Sequence, residues 1–346
     1  MKLSTTFQFA LPLLLVLGTT AFAQNSNRPL GDSKLIAPVP FPGYPEGIVV
    51  YDSVAYVSGP AAFGVPGNFV PSLIFGFDTK TGALVRTITV QNQVGPLHAL
   101  SCITADDAGN LYVLDEGLGV VKINLASGQQ SVYAAPFYPV FQSAFNPPAP
   151  VLINDLAFDK KGYLYVTDSF QATIWRVPPG GGVPQVWFQG AQLDGPFGPN
   201  GIRVSPDGKL VYFTVTFDAT GAGTIYTLPA VDHPQASDLK VFHTYTPGAG
   251  PDGMAFGKSG SLYVALAGYS QISVLSADGT ETARYSGPAG SLPWANPANI
   301  AFDGHGSLLV TNHASLTGLP DPSGLFAIFD VYVNDKAGKL FTEFDQ

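Results

Sequence analysis

Glu46, Ser101, Asn154, Asn200, Asp252 and Ala298, the last followed by Asn299, recur along the 346-residue chain about once every fifty residues, each just ahead of an apolar run. Five of the six are polar, and four are Asp, Glu or Asn, side chains whose oxygens are hard donors. Such a set suits one divalent cation, with Ca²⁺ favoured and Zn²⁺, Mn²⁺ or Mg²⁺ also able to accept it. Glu46, Asn154, Asn200 and Asp252 are the expected metal ligands, and Ser101 and Asn299 are candidate accessories. Taken singly, Pro199-Asn200-Gly201 and Pro251-Asp252-Gly253 are ordinary turn sequences. Their recurrence at one register is what favours a site. His98, just before the second apolar run, could reach the channel and is a further candidate accessory, with a structural hydrogen bond at least as strong a reading; His313 is similar. Cys102 lies within the apolar run Leu100–Ile103 and reads as a core thiol. The run Gly180-Gly181-Gly182 reads as a hairpin turn, and the absence of a G-x-S-x-G elbow argues against serine hydrolase chemistry.

Positions so far apart in sequence form one site only if the chain returns to the same place once per repeat. The phrases that contain them have that property: PEGIVVYDSVAYVSG from Pro45, LSCITADDAGNLYVLD from Leu100, INDLAFDKKGYLYVTD from Ile153, PNGIRVSPDGKLVYFT from Pro199, PDGMAFGKSGSLYVAL from Pro251 and PANIAFDGHGSLLVTN from Pro297. Each reads as a strand, a tight turn and a second strand. Third strands follow most of them, as in TIWRVPPGG and QISVLSADG, and weaker fourth strands appear in LVRTITV and PQVWFQG. The expected fold is all-β, a six-bladed β-propeller with four-stranded antiparallel blades, in which the first strand of each blade lines a central channel. A pair of β-sandwiches is the alternative, and it needs no internal repeat. The strand that closes the ring is expected either from Ser33–Val39 or from the tail Lys339–Phe344.

Residues 1–23 read as a secretory signal peptide: Lys2, an apolar run through Leu15–Leu17, and Ala21-Phe22-Ala23 before the cleavage point. The apolar stretch is too short to span a bilayer, and the expectation is a secreted, soluble protein with one propeller domain over 24–346, most simply a monomer. A net charge of −9 argues against nucleic-acid or anionic-membrane partners. With Cys102 alone, no intramolecular disulfide can form. The partner expected is a small molecule.

The phrases around Glu46, Asn154, Asn200 and Asp252 resemble those of the gluconolactonase family, also called the senescence marker protein or regucalcin family, and more distantly the paraoxonases. The similarity runs over essentially the whole mature chain. The resemblance implies that Glu46, Asn200 and Asp252 ligate a divalent cation and that Asn154 contacts metal-bound water or substrate. It implies hydrolysis of a lactone or related ester, with Asp252 and Asn154 as catalytic residues, Asp252 as base or water-orienting group. No arginine of the kind some sugar-lactonase members use for a polar substrate is located. The mouth loops Pro60–Val70, Ala135–Pro150 and Gly195–Gly198 carry Phe63, Phe69, Phe137, Tyr138, Phe141, Phe145 and Phe197, which points either to a hydrophobic substrate or to loops packed on the rim. A non-hydrolytic tailoring enzyme like strictosidine synthase and a metal-stabilised binding propeller are the competing functions, since fold alone does not choose among them.

Overall fold

Every recurring phrase folds as the first two strands of its own antiparallel sheet, and six such four-stranded sheets form a six-bladed β-propeller in this computed structural model, which describes residues 28–69, 71–94, 98–287 and 293–343. The expected signal peptide lies outside the described residues. Among these residues no helix is long and apolar enough to cross a membrane. Among the described residues helix is confined to three short 3₁₀ turns.

The innermost strands are Ile48–Tyr51, Leu100–Ala105, Ile153–Phe158, Phe197–Val204, Pro251–Phe256 and Pro297–Phe302, and each packs beside the next around the channel. Burial falls outward along a blade. Leu164–Asp168, a second strand, is buried throughout, whereas Leu84–Thr89, a fourth strand, alternates between exposed and half-buried. That half-exposure is why the fourth strands carry the weaker sequence signal. Between blades sit large buried side chains such as Trp175, Tyr112, Tyr165, Phe213 and Phe329, each worth about 2–3 kcal/mol in apolar burial. In blades two and three the first hairpin is set by an aspartate that accepts two turn amides. Asp106 Oδ1 takes those of Ala108 (3.0 Å) and Asn110 (2.9 Å), and Asp159 Oδ1 takes those of Lys161 (2.8 Å) and Tyr163 (3.0 Å).

The N-terminal segment closes the ring. Ser33–Pro38 pairs antiparallel with Ala327–Tyr332, from Ser33 opposite Val331 to Pro38 opposite Ala327, and completes the sixth sheet with Ser307–Asn312 and Pro297–Phe302. The tail does something else: it crosses the far end of the channel. Ala337 bridges to Gly257 in blade five, Phe341 to Phe158 in blade three, and the buried Glu343 carboxylate accepts from Lys122 Nζ (2.7 Å) in blade two and from the Tyr112 hydroxyl. Phe344 lies outside the described residues.

Blades are stitched together by hydroxyls on their second strands. Thr311 donates to the Glu46 carbonyl (2.7 Å), Thr167 to that of Asn200 (2.5 Å), Thr214 to that of Asp252 (3.1 Å) and Ser58 to that of Ser101 (2.5 Å). Each bond reaches from one blade to the next and holds the backbone of a polar ring residue. Close approach of neighbouring inner strands explains the glycine in Pro199-Asn200-Gly201. A Cβ on Gly201 would overlap the Asp252 carbonyl oxygen, one on Gly47 the Cys102–Ile103 backbone, and one on Gly253 the Asn299 side chain and the Ala298 carbonyl. The Pro-Asn-Gly and Pro-Asp-Gly phrases are therefore the starts of inner strands, not turns. Gly201→Ala is expected to destabilise the protein by about 2–4 kcal/mol, because two strand backbones must part. Thermal unfolding that is unchanged in this variant would refute that account.

Candidate functional site

At the end of the channel opposite the tail lies a cavity of about 300 Å³ that brings together Glu46, Ser101, Asn154, Asn200 and Asp252. Five of the six inner strands have a register shift at this level, between Leu100 and Ile103, Ile153 and Leu156, Pro199 and Ile202, Pro251 and Met254, and Pro297 and Ile300. Such an irregularity breaks strict strand alternation and re-aims a side chain. It is how residues at the start of buried strands line the channel.

Behind this ring stands a second one, built in five blades from the residue at or just past the end of the second strand: Glu116, Ser169, Thr216, Ala267 and His313. They share a register, since Leu100 pairs with Asp115, Ile153 with Asp168, Pro199 with Val215, Pro251 with Leu266 and Pro297 with Asn312. The two rings are bonded to each other. Asn154 Nδ2 donates to Ser169 Oγ (3.2 Å), whose hydroxyl donates to the Pro199 carbonyl (2.7 Å). Asn200 Nδ2 donates to Thr216 Oγ1 (3.0 Å), whose hydroxyl donates to the Pro251 carbonyl (3.0 Å). Each hydroxyl has spent its proton on a carbonyl, so it must receive from the amide, and this fixes which way the carboxamides point. The other ends are left over. Asn154 Oδ1, Asn200 Oδ1 and Asp252 Oδ1 are buried and have no hydrogen-bond partner, an arrangement that ordinarily costs 1–3 kcal/mol per group.

Charge is concentrated here as well. Burial, and then the charge of Asp155, pushes the Glu46 carboxyl up to about 8, and burial with Glu46 and Asp155 nearby pushes Asp252 well above the usual carboxylate range. His313 Nε2 lies 3.6 Å from Glu46 Oε2 and 3.3 Å from the Ala61 carbonyl, but burial lowers its pKa to about 4, so the imidazole is neutral at pH 7. No lysine or arginine is among the described residues that line the cavity. No three His, Cys, Asp or Glu among the described residues cluster as a metal group. The donor set consists of two carboxylates and two carboxamides. Its unpaired oxygens fit a hard cation, which would supply the positive charge that two buried carboxylates lack.

One layer below, Asp155 Oδ2 accepts from Arg203 Nη1 (2.6 Å) and from the Ile202 amide (3.0 Å). Arg203 Nη2 donates to Asn299 Oδ1 (3.1 Å), and Asn299 Nδ2 donates to Cys102 Sγ (3.0 Å). Asn299 is thus bonded within this layer and does not line the cavity, and Cys102 is a buried thiol pushed well above its ordinary pKa by burial and by Asp155. His98 stands apart, its Nδ1 2.7 Å from Ser72 Oγ. Of the mouth aromatics, Phe63 and Phe197 line the cavity, while Phe137 and Tyr138 pack edge-on against Trp175 at 5.6 and 5.4 Å. Phe141 packs on the core, and Phe69 and Phe145 are exposed.

Sequence reasoning passed over Glu116, the Asp155–Arg203 pair and Phe217. Glu116 had a signal, because aligning the second strands of the repeat sets it in register with Ser169, Thr216 and His313. The ion pair had none, since its partners come from blades three and four at unlike positions of their phrases.

The family described as SMP-30/Gluconolactonase/LRE-like region matches residues 77–314, and the chain belongs to it. Among solved structures, a calcium-binding protein, regucalcin, from Agrobacterium tumefaciens is 18% identical, with 90% of this chain and 96% of that one covered at a TM-score of 0.64. A gluconolactonase from Xanthomonas campestris is 16% identical, covering 88% and 90% at 0.58. A streptogramin B lyase is 14% identical, covering 88% and 98% at 0.57. At these identities the likeness establishes the fold. No protein in the curated set matches the chain by sequence.

Proposed function

We propose that this protein is a secreted, metal-dependent hydrolase of a lactone or related ester, with Glu46, Asn154, Asn200 and Asp252 holding one divalent cation, Ca²⁺ by preference. The observation that carries the reading is the set of three buried, partnerless oxygens, Asn154 Oδ1, Asn200 Oδ1 and Asp252 Oδ1, in one cavity with the Glu46 carboxylate. Membership of a family that includes gluconolactonases supports the reaction class, and the neighbour described as a calcium-binding protein supports the cation. A bound cation supplies Lewis acidity toward an acyl oxygen. The chain supplies the rest. Ser169 and Thr216 hold the two carboxamides with their oxygens toward the cavity. Asp252 orients the attacking water or takes its proton, and Asn154 Oδ1 accepts from water or substrate. The neutral His313 shields Glu46 without adding charge. Phe63, Phe197 and Phe217 exclude bulk water from one side.

The test is hydrolysis of a panel of lactones and aryl esters by the mature protein with added Ca²⁺ and with chelator. Hydrolysis that is lost in chelator and restored by Ca²⁺ is expected. Inactivity on the whole panel despite tight cation binding would move the assignment to a lyase or a binding propeller, and the lyase among the structural neighbours shows that this fold accommodates the former.

A further inference from the structure

The end of the channel where the cavity opens differs from the rest of the surface. Each blade reaches it through two connections, one leading into the inner strand and one joining the second strand to the third. Every exposed Phe, Tyr or Trp among the described residues lies in such a connection: Phe41, Phe63, Phe69, Tyr138, Phe145 and Tyr269. Phe69 is 84% exposed and Phe41 56%. Leu316 and Leu319, also exposed, extend the set from blade six. The described residues of these connections include no Lys or Arg. Lys80, Lys160, Lys161, Lys209, Lys258 and Lys336 all sit in the connections at the opposite end.

We propose that this mouth face docks on a phospholipid surface of zero net charge, with Phe41, Phe69 and their neighbours inserted among the headgroups and the cavity opening toward the lipid. The inference goes beyond the hydrolase reading and stands without it, because it concerns a surface rather than a reaction.

Three observations support the choice. First, the aromatic tips are presented by a braced platform. The Ala61 amide donates to the Tyr44 carbonyl (3.0 Å), the Val39 amide donates to the Phe326 carbonyl (2.9 Å), and a Cβ on Gly67 would stand 3.9 Å from Phe41 Cζ. Residues 39–47, 60–69 and 313–326 thus form one block that carries Phe41, Phe63, Phe69, Leu316 and Leu319 to the surface, and apolar surface gathered in this way marks an interaction face. Second, the charge matches a neutral partner. Outside the cavity the acids of the mouth are Asp194, Asp218 and Asp321, each accepting from a nearby amide. With acids and no cation, this face is repelled by anionic lipid, whose capture needs Lys or Arg. Aromatic rings, by contrast, settle at the level of neutral headgroups. Third, the tips stand apart around the opening, on connections of blades one, three, five and six, and Phe63 and Leu316 also line the cavity. Separate tips suit a fluid interface that each can enter on its own, whereas a protein partner would need one continuous complementary patch.

The experiment is flotation of the mature protein with phosphatidylcholine vesicles and with vesicles rich in phosphatidylglycerol, in low and in high salt. Wild type is expected to float with phosphatidylcholine equally at both salt levels, since the contact is apolar, and less with the anionic vesicles. Phe41→Ser with Phe69→Ser should weaken binding by about tenfold or more. Leu84→Ser with Val85→Ser, on the exposed outer strand of blade one, is the control and should change it by less than about twofold. All four side chains are exposed, so both pairs should fold, as melting curves will show. Phe69→Trp adds a direct reading, because Trp175, Trp187 and Trp294 are buried: its emission should shift to the blue when phosphatidylcholine vesicles are added. No flotation of wild type, flotation with anionic vesicles alone, a serine pair at the mouth that floats like wild type, or a control that falls as far would each overturn the proposal. So would a dimer that Phe41→Ser with Phe69→Ser dissociates while no vesicle binds, which would assign the face to a second copy of the chain. None of these outcomes touches the hydrolase reading, which the lactone panel tests separately.

Discussion

Asp252→Ala is expected to lose the cation and, with it, hydrolysis by about 10³-fold or more, while the metal-free variant melts at a higher temperature than the metal-free wild type. The two effects have opposite signs and one origin. Asp252 is buried with an unpaired Oδ1 and shares its cavity with Glu46. Without a cation it is a desolvated acid next to another acid, and burial raises its pKa well above the ordinary value. Alanine removes that cost. The same change deletes one of two anionic ligands and the group assigned to the attacking water, each of which ordinarily carries a factor of 10² or more. Calorimetric Ca²⁺ titration, lactone hydrolysis and melting curves with and without chelator check the three parts. Full activity in the variant would remove Asp252 from the machinery. Lost activity without a rise in the metal-free melting temperature would show that the acid is better solvated than its surroundings indicate.

Metal-free protein is expected to lose stability as pH rises from about 4.5 to about 8, and Ca²⁺ to restore it most at the alkaline end. Burial lifts the Glu46 carboxyl from 4.5 to about 8. Between those values the native state keeps a proton that the unfolded chain has released, so stability falls with each step in pH. It is highest below the unfolded value and levels off above the folded one. The loss is a few kcal/mol, which corresponds to a drop in melting temperature of roughly 5–10 °C. A cation binds the ionised carboxylates and removes the penalty, so its stabilising effect should be larger at pH 8 than at pH 5. A metal-free melting temperature that is flat over this window, with equal response to Ca²⁺ at both ends, would mean that Glu46 is not the buried, uncompensated acid the cavity shows.

The repeat carried most of the fold. Alternating apolar phrases with turn residues at a fixed offset dictate hairpins, and six hairpins of one pattern close most simply as a propeller. The same alignment brought out Glu46, Asn154, Asn200 and Asp252, because polar residues at the head of buried strands conflict with local pattern and such conflicts mark sites. Glu116 was legible in principle through the second strands, but it stood beside Asp115 after a strand end, where turn acids are common. The partial exposure of the fourth strands blurred their pattern. His98 and Asn299 sat at suggestive sequence positions, yet their side chains are engaged elsewhere, with Ser72 and with Arg203 and Cys102.

What the sequence by itself determined is the periodic part: strand order, blade number and which polar residues stand at the heads of the inner strands. Local periodicity is enough for these, since each blade repeats one short-range pattern. The tertiary structure alone decided which terminus closes the ring, because Ser33–Pro38 and the tail are both short apolar segments, and only Ser33–Pro38 extends the sixth sheet beside Ala327–Tyr332. It alone decided that the two asparagine amides are turned by Ser169 and Thr216 so that their oxygens face the cavity. It also placed Asp155 against Arg203 beneath the donors. Side-chain direction and cross-blade pairing depend on atoms far apart in the chain, and they are settled only when the ring closes and buried polar groups must find partners or go without.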